Sequence, residues 1–187
     1  MSTSAPKQAP NQTLINLQAA YNGESNAHVA YLKFADKADQ QGFAGVASLF
    51  RAAARAEQIH AENHARVIRQ LGSTPEAKIE LPEIRNTALN LKHAVSGEEY
   101  ERDVMYPDFI TEAKASGNRA ALRTFEYALA AEAEHAKLYS EALKHLNTPT
   151  AKIDYYVCIV CGFTTPDGNF ARCEVCKNPR EKFEIVN

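Results

Sequence analysis

The sequence predicts a mainly α-helical protein: a four-helix bundle followed by a small C-terminal domain folded around a metal ion. Three observations carry this. Four long stretches rich in Ala, Leu, Glu, Lys and Gln are separated by glycine- and proline-bearing breaks. The two halves of the helical region repeat each other at an offset of 74–75 residues. All four cysteines of the 187-residue chain lie between Cys158 and Cys176.

Residues 1–11 are polar and include Pro6 and Pro10, without the basic start and apolar stretch of a secretory signal, and read as a disordered tail. The helical region spans residues 12–148, with helices expected at Gln12–Gln41, Gly45–Leu71, Pro82–Ser116 and Asn118–Asn147. Gly42, Gly72-Ser73-Thr74-Pro75, Gly117 and Thr148-Pro149 break them. The first and third breaks are short, which makes antiparallel neighbours. The middle connection, about Gly72 to Leu81, could run much of a helix's length at roughly 3.3–3.6 Å per residue. Residues 149–187 form a linker and a domain too small to bury an adequate core without a staple. A net charge of -2 and the lack of any long apolar run give no reason to expect a nucleic-acid or membrane partner, and a cytoplasmic protein is expected.

The repeat brings chemistry with it. Asn16-Leu17, Ala20 and Gly23-Glu24 recur 74 residues later as Asn90-Leu91, Ala94 and Gly97-Glu98. Tyr31, Phe34, Phe50, Glu57 and His60 recur 75 residues later as Tyr106, Phe109, Phe125, Glu132 and His135. Counted from Gly42 and Gly117, Glu24, Glu57, Glu98 and Glu132 lie at similar depth within the bundle. Glu57 and His60 share a helix face, as do Glu132 and His135, and as do Glu98 and Glu101. One Glu from each of two helices plus Glu-x-x-His from each of the other two is the ligand set of ferritin-like di-metal sites. Oxygen and nitrogen ligands suit a pair of irons, although ligand type leaves manganese open. Two Fe(II) ions would balance Glu24, Glu57, Glu98 and Glu132. Oxidation would add two charges, and Glu101 could then replace neutral His60. Tyr31 and Tyr106 are candidates to hydrogen-bond ligand carboxylates, or simply to pack in the core. His28 and His64, one turn from Glu24 and His60, could hydrogen-bond groups that hold the site, but read rather as caps over it or as exposed, while Glu99 and Glu134 fall off the ligand face.

The offset grows by one residue between Glu98 and Tyr106, just before Pro107. One extra residue inside a helix is usually absorbed as a π-bulge, so a local distortion is expected there.

Cys158-x-x-Cys161 and Cys173-x-x-Cys176 are two knuckles of a tetrahedral thiolate site. Spacing alone does not separate structural zinc from redox iron.

Together these segments resemble the rubrerythrin family over nearly the whole chain after about residue 12. The resemblance rests on Gly23-Glu24-Ser25, Glu57-Gln58-Ile59-His60, Gly97-Glu98-Glu99-Tyr100-Glu101, Met105-Tyr106-Pro107-Asp108-Phe109, Glu132-Ala133-Glu134-His135 and the two knuckles. Glu174 stands where typical rubredoxins have a proline after the cysteine. The resemblance implies a ferritin-like bundle with a rubredoxin-like tail. It implies a di-iron site held by Glu24, Glu57, His60, Glu98, Glu101, Glu132 and His135, and one iron on Cys158, Cys161, Cys173 and Cys176. It also implies reduction of hydrogen peroxide to water in oxidative-stress defence, with electrons from NAD(P)H through a separate reductase. A homodimer is implied, with the rubredoxin-like domain of one subunit beside the di-iron site of the other. Iron handling or ferroxidase activity is the alternative for the same bundle.

Overall fold

The computed structural model describes residues 11–148 and 150–187; residues 1–10 of the tail expected over 1–11, and Pro149 of the expected break, lie outside the described residues, while Asn11 is described and caps the first helix. Five α-helices form the bundle: α1 (Gln12–Gln40), α2 (Ala44–Gln70), α3 (Thr87–Tyr100), α4 (Tyr106–Ala115) and α5 (Arg119–Lys144). The π-helical stretch Glu101–Met105 joins α3 to α4 into one long rod, so the bundle has four rods. That stretch is where the repeat offset gains its extra residue, and Pro107, which has no N–H to give, follows at the start of α4.

Asparagines set three of the helix starts. The side chains of Asn11, Asn86 and Asn118 accept from the backbone N–H groups of Leu14, Leu89 and Ala121. The cap at Asn86 also corrects the expected third helix, which begins at Thr87 rather than Pro82. Residues 82–86 stay outside the helix because Asn86 is held at ψ 161° and the Asn90 side chain bonds both Arg85 N and Arg85 O. The last helix ends at Lys144, three residues before the expected Asn147, in a run of turns.

The connection from α2 to α3 runs beside α1 for most of its length. Gln18, Asn22 and Asn26, spaced four apart on one face, hold it like rungs: Gln18 bonds Thr74 O and Glu76 N, Asn22 bonds Lys78 N, and Asn26 bonds Lys78 O and Glu80 N. Its far end is tied by Thr87 N donating to Gln41 Oε1 at 2.7 Å. This crossover makes α3–α4 parallel to α2.

Two apolar clusters fill the interior. One contains Tyr31, Phe34, Phe50, Leu91 and Tyr139. The other contains Leu17, Ile68, Tyr106, Ile110 and Phe125. On every rod the spacing shared by the two halves of the repeat leaves a polar layer between them, at Glu24, Glu57–His60, Glu98 and Glu132–His135.

After α5 the chain forms a three-stranded antiparallel sheet, β1 (Tyr155–Cys158), β2 (Thr164–Thr165) and β3 (Phe183–Val186), in the order β2-β1-β3. Val157 pairs with Thr164 on one side and Glu184 on the other. The sheet packs on the bundle: Tyr155 and Val157 enter its core, Arg55 of α2 pairs with Glu184, and Ile153 N donates to Ser48 Oγ at 3.2 Å.

Candidate metal centres

Six of the side chains singled out in the sequence converge. Ligand atoms of Glu24, Glu57, His60 and Glu132 lie within 4.8 Å of one another, as do those of Glu57, Glu98, Glu132 and His135. Glu57 and Glu132 belong to both groups, so they stand where a pair of ions would share carboxylates. His60 Nδ1 lies 2.9 Å from Glu57 Oε2 and 2.9 Å from Glu132 Oε1. His135 Nδ1 lies 2.8 Å from Glu132 Oε2 and 3.3 Å from Glu57 Oε1. All six residues are buried.

Burial sets the electrostatics. It raises the pKa of Glu24, with the neighbouring charges of Glu132 and Glu57 adding to the effect. It raises Glu98 to about 8, again helped by Glu57. Burial opposes charge on His60 and His135 too, but the surrounding carboxylates outweigh it and hold both histidines above their ordinary value. For Glu132 burial also opposes charge, and the two histidines overcome it and keep the carboxyl low.

The cluster fits a pair of cations better than it fits itself. Glu24 Oε2, Glu57 Oε1, Glu98 Oε2, both Glu132 oxygens and His135 Nδ1 are buried without a hydrogen-bond partner among the described residues. Leaving buried carboxylates uncompensated costs on the order of several kcal/mol each. The histidines are also turned for coordination. His60 Nε2 faces the Cys161 carbonyl at 3.1 Å and His135 Nε2 faces Thr164 Oγ1 at 3.2 Å. Cys161 O can only accept, so Nε2 of His60 carries a proton, and it is Nδ1, facing the carboxylates, that would give up its proton and offer a lone pair to a metal ion.

Glu101 is not drawn in with the six. It opens the π-helical stretch and is half-buried, and a Cβ at Gly23 would lie 3.9 Å from its Oε1. Burial, then the charge of Glu24, raises its pKa. Tyr31 OH donates to Glu98 Oε1 at 2.7 Å, and Tyr106 OH donates to Glu24 Oε1. Both phenols therefore touch carboxylates as well as packing in the core. Glu99 is exposed, and Glu134 pairs with Lys137 at 3.2 Å. His28 is half-buried and bonds Ala54 O. His64 is fully buried, not exposed, between Tyr106 OH and Thr124 Oγ1, each at 3.1 Å. Thr164 escaped the sequence reading, since nothing local marks a residue 29 positions from His135 as its partner.

The four cysteines are free thiols with ligand atoms within 4.8 Å of one another. Cys158 Sγ and Cys176 Sγ are 3.6 Å apart, and Cys161 Sγ and Cys173 Sγ 3.5 Å. These separations are far beyond a disulfide of about 2.05 Å. They approach the roughly 3.8 Å edge of a tetrahedron with metal–sulfur bonds of about 2.3 Å. With Glu174 in place of a proline, the second knuckle still closes, through Lys177 N to Cys173 O at 3.1 Å and Cys173 N to Asn178 O at 2.8 Å.

Comparison with known proteins decides the family. The family model described as Rubrerythrin matches residues 16–143. The chain belongs to the rubrerythrin family. It is 36% identical over 173 residues to Rubrerythrin-2 of Clostridium acetobutylicum, covering 90% of this chain and 93% of that protein. It is 35% identical to nigerythrin of Nitratidesulfovibrio vulgaris, covering 95% and 88%. A structure of nigerythrin in its fully reduced, all-ferrous state superposes with a TM-score of 0.87 at 33% identity, covering 99% of this chain and 91% of that one. A Desulfovibrio desulfuricans bacterioferritin shares the fold alone, with a TM-score of 0.68 at 22% identity over 73% of this chain and 80% of that one. As a rubrerythrin, the chain carries a di-iron site in its ferritin-like bundle and an Fe(Cys)4 site in its rubredoxin-like unit. No described helix is long and apolar enough to cross a membrane.

Proposed function

We propose that this rubrerythrin reduces hydrogen peroxide to water, as an oxidoreductase of oxidative-stress defence. Glu24, Glu57, His60, Glu98, Glu132 and His135, with Glu101, hold two irons in this reading, and Cys158, Cys161, Cys173 and Cys176 hold one. Electrons come singly through the tetrathiolate centre from a separate NAD(P)H-dependent reductase. The observation that carries the proposal is the seam between the centres. The carbonyl of Cys161 accepts from Nε2 of His60 at 3.1 Å, so one cysteine and one histidine of the two centres are joined by a single hydrogen bond. Ferroxidase or storage activity has no use for such a relay.

When bound, the metal pair supplies two electrons and a template for breaking the O–O bond. The chain's own residues do the rest. Tyr31 and Tyr106 each fix one oxygen of a carboxylate, leaving Oε2 of Glu98, 3.6 Å from His135 Nδ1, and Oε2 of Glu24 buried and without a hydrogen-bond partner among the described residues. The two apolar clusters exclude water above and below the polar layer. Glu101 lies outside the group that holds His60 Nδ1, and would be the spare carboxylate able to take the place of neutral His60 were the positive charge of a bound pair to rise.

The proposal includes a cytoplasmic homodimer. The family resemblance implies an approach between subunits, whereas here the seam forms within one chain. Exchange of the cysteine unit between two copies would reproduce the same contacts.

The test is anaerobic: reduce the iron-loaded protein, add one equivalent of hydrogen peroxide, and follow the visible colour of the ferric tetrathiolate. Colour should return much faster than with dissolved oxygen, and Glu98→Ala should abolish the return. A tetrathiolate centre that stays reduced while the di-iron site is oxidised would overturn the relay and favour iron handling.

A further inference from the structure

The two halves of the repeat match closely at the metal site but not one turn beyond it. His64 and Thr124 of one half correspond, 75 residues apart, to Tyr139 and Leu49 of the other. Around Glu98, Tyr31 OH donates to the carboxylate at 2.7 Å and the polar path then stops. The Tyr139 hydroxyl is buried without a hydrogen-bond partner among the described residues, its ring packed on Tyr31 and Phe50. Around Glu24 the path continues. Tyr106 OH donates to Glu24 Oε1, His64 Nε2 lies 3.1 Å from the Tyr106 oxygen, and His64 Nδ1 lies 3.1 Å from Thr124 Oγ1. Thr124, 6% exposed, lines a cleft of about 200 Å³ with Asn63, Arg66, Arg123, Tyr127 and Val160.

The direction of each bond follows from counting protons. The phenol of Tyr106 has one proton and gives it to Glu24. Its oxygen can then only accept, so Nε2–H of His64 donates to it. Nδ1 is left as an acceptor, and Thr124 O–H donates to it. The ring is neutral in this arrangement, because Nε2 donates to Tyr106 and Nδ1 accepts from Thr124. All the hydrogen bonds therefore point from the cleft toward the metal site, and no member carries a resting charge.

We propose that Thr124, His64 and Tyr106 form a proton inlet to Glu24, and that the protein has this inlet on one side of its internal repeat only. The inference rests on the peroxide reading above, in which H2O2, two electrons of the reduced metal pair and two protons give two waters. In one passage, cleft water gives a proton to the Thr124 oxygen and the threonine proton moves to Nδ1. The Nε2 proton moves to the phenol oxygen and the phenol proton to Glu24, which hands it to an oxygen of the substrate. Before a second passage the ring must exchange its Nδ1 proton for one at Nε2 and the Thr124 and Tyr106 hydroxyls must turn back, so the file delivers one proton per oxidation and solvent supplies the other. His64 and Thr124 touch neither substrate nor metal in this scheme; they act through Tyr106 and Glu24.

Two measurements test it. In the full-length chain loaded with zinc at both sites, which is diamagnetic, ¹⁵N spectra should show His64 as the neutral Nε2–H form from pH 5 to 8. Thr124→Val should shift its Nδ1 resonance, and Thr124→Ser should restore it. An Nδ1–H ring, or an Nδ1 indifferent to Thr124→Val, would overturn the inlet. In the iron-loaded, reduced protein mixed with peroxide, His64→Leu and Thr124→Val should each slow oxidation by about tenfold or more and change the H2O/D2O rate ratio. Tyr139→Phe and Thr124→Ser should leave both nearly unchanged. Wild-type protein inert to peroxide would sink the functional reading and the inlet with it. Wild-type protein that reacts, with His64→Leu and Thr124→Val equally fast, would sink the inlet alone.

Discussion

Replacing Gly162 by alanine probes the seam between the two centres, and Gly42→Ala provides its control. Both glycines have positive φ, +80° and +83°. A non-glycine residue in that left-handed region costs roughly 1–2 kcal/mol. At Gly42 nothing lies within 4 Å of the added carbon, so that cost is all that is expected. At Gly162 the added carbon runs into the His60 ring, with Cδ2 at 2.7 Å and Cε1 at 3.0 Å. Neither side can yield freely, because the ring is fully buried and the glycine sits in the Cys158–Cys161 knuckle. Separating them forfeits the His60–Cys161 hydrogen bond, about 0.5–1.5 kcal/mol, and the overpacking costs about 1–3 kcal/mol more. Gly162→Ala should therefore destabilise by about 2.5–6.5 kcal/mol and Gly42→Ala by about 1–2 kcal/mol. Urea denaturation read by far-ultraviolet dichroism for the helices, and by visible colour for the tetrathiolate, would separate the two units. Gly162→Ala should also slow electron transfer between the centres, while Gly42→Ala should not. Equal losses in the two variants, with unchanged transfer, would refute the close approach of the knuckle to His60.

Removing the metals should make stability fall as pH rises from about 6.5 to 8. Glu98 has a folded-state pKa raised from 4.5 to about 8, so its contribution is fully present below about pH 4.5, declines above that, and goes on declining through this window until about pH 8. His60 and His135, also raised, act in the same direction, and Glu98 alone accounts for about 2 kcal/mol. His64, whose pKa is lowered to about 3, has the opposite effect only below about pH 6.5. Denaturation of metal-free protein at several pH values checks this, and metal loading should flatten the profile. Tyr31→Phe removes the 2.7 Å bond to Glu98 and should cost about 1 kcal/mol in stability with no change in helix content by dichroism. Asn26→Ala removes two rungs under the crossover and should hasten proteolysis near residues 78–80, with a stability loss of about 1 kcal/mol or less.

The sequence by itself determined whatever depends on spacing along one helix or on comparison of the two halves. Glu57 and His60, or Glu132 and His135, three apart, share a face however the rods pack. The repeat placed them at one depth with Glu24 and Glu98. The residue gained between Glu98 and Tyr106 located the π-helical stretch, since a helix must absorb an odd residue locally. Two CxxC knuckles told of a thiolate cluster because their geometry is built into short turns. The start of the third helix was misread by five residues because the run after Pro82 is held by side chains, those of Asn86 and Asn90, that helix propensity does not weigh. Only the tertiary structure decided that His64 is buried in a hydrogen-bonded file, that Thr164 holds the outer nitrogen of His135, and that Cys161 meets His60 across 101 residues of chain. The physical reason is that spacing fixes a side chain's direction on its own helix, whereas the partner that direction meets is set by how separate elements pack, and no local pattern records that choice.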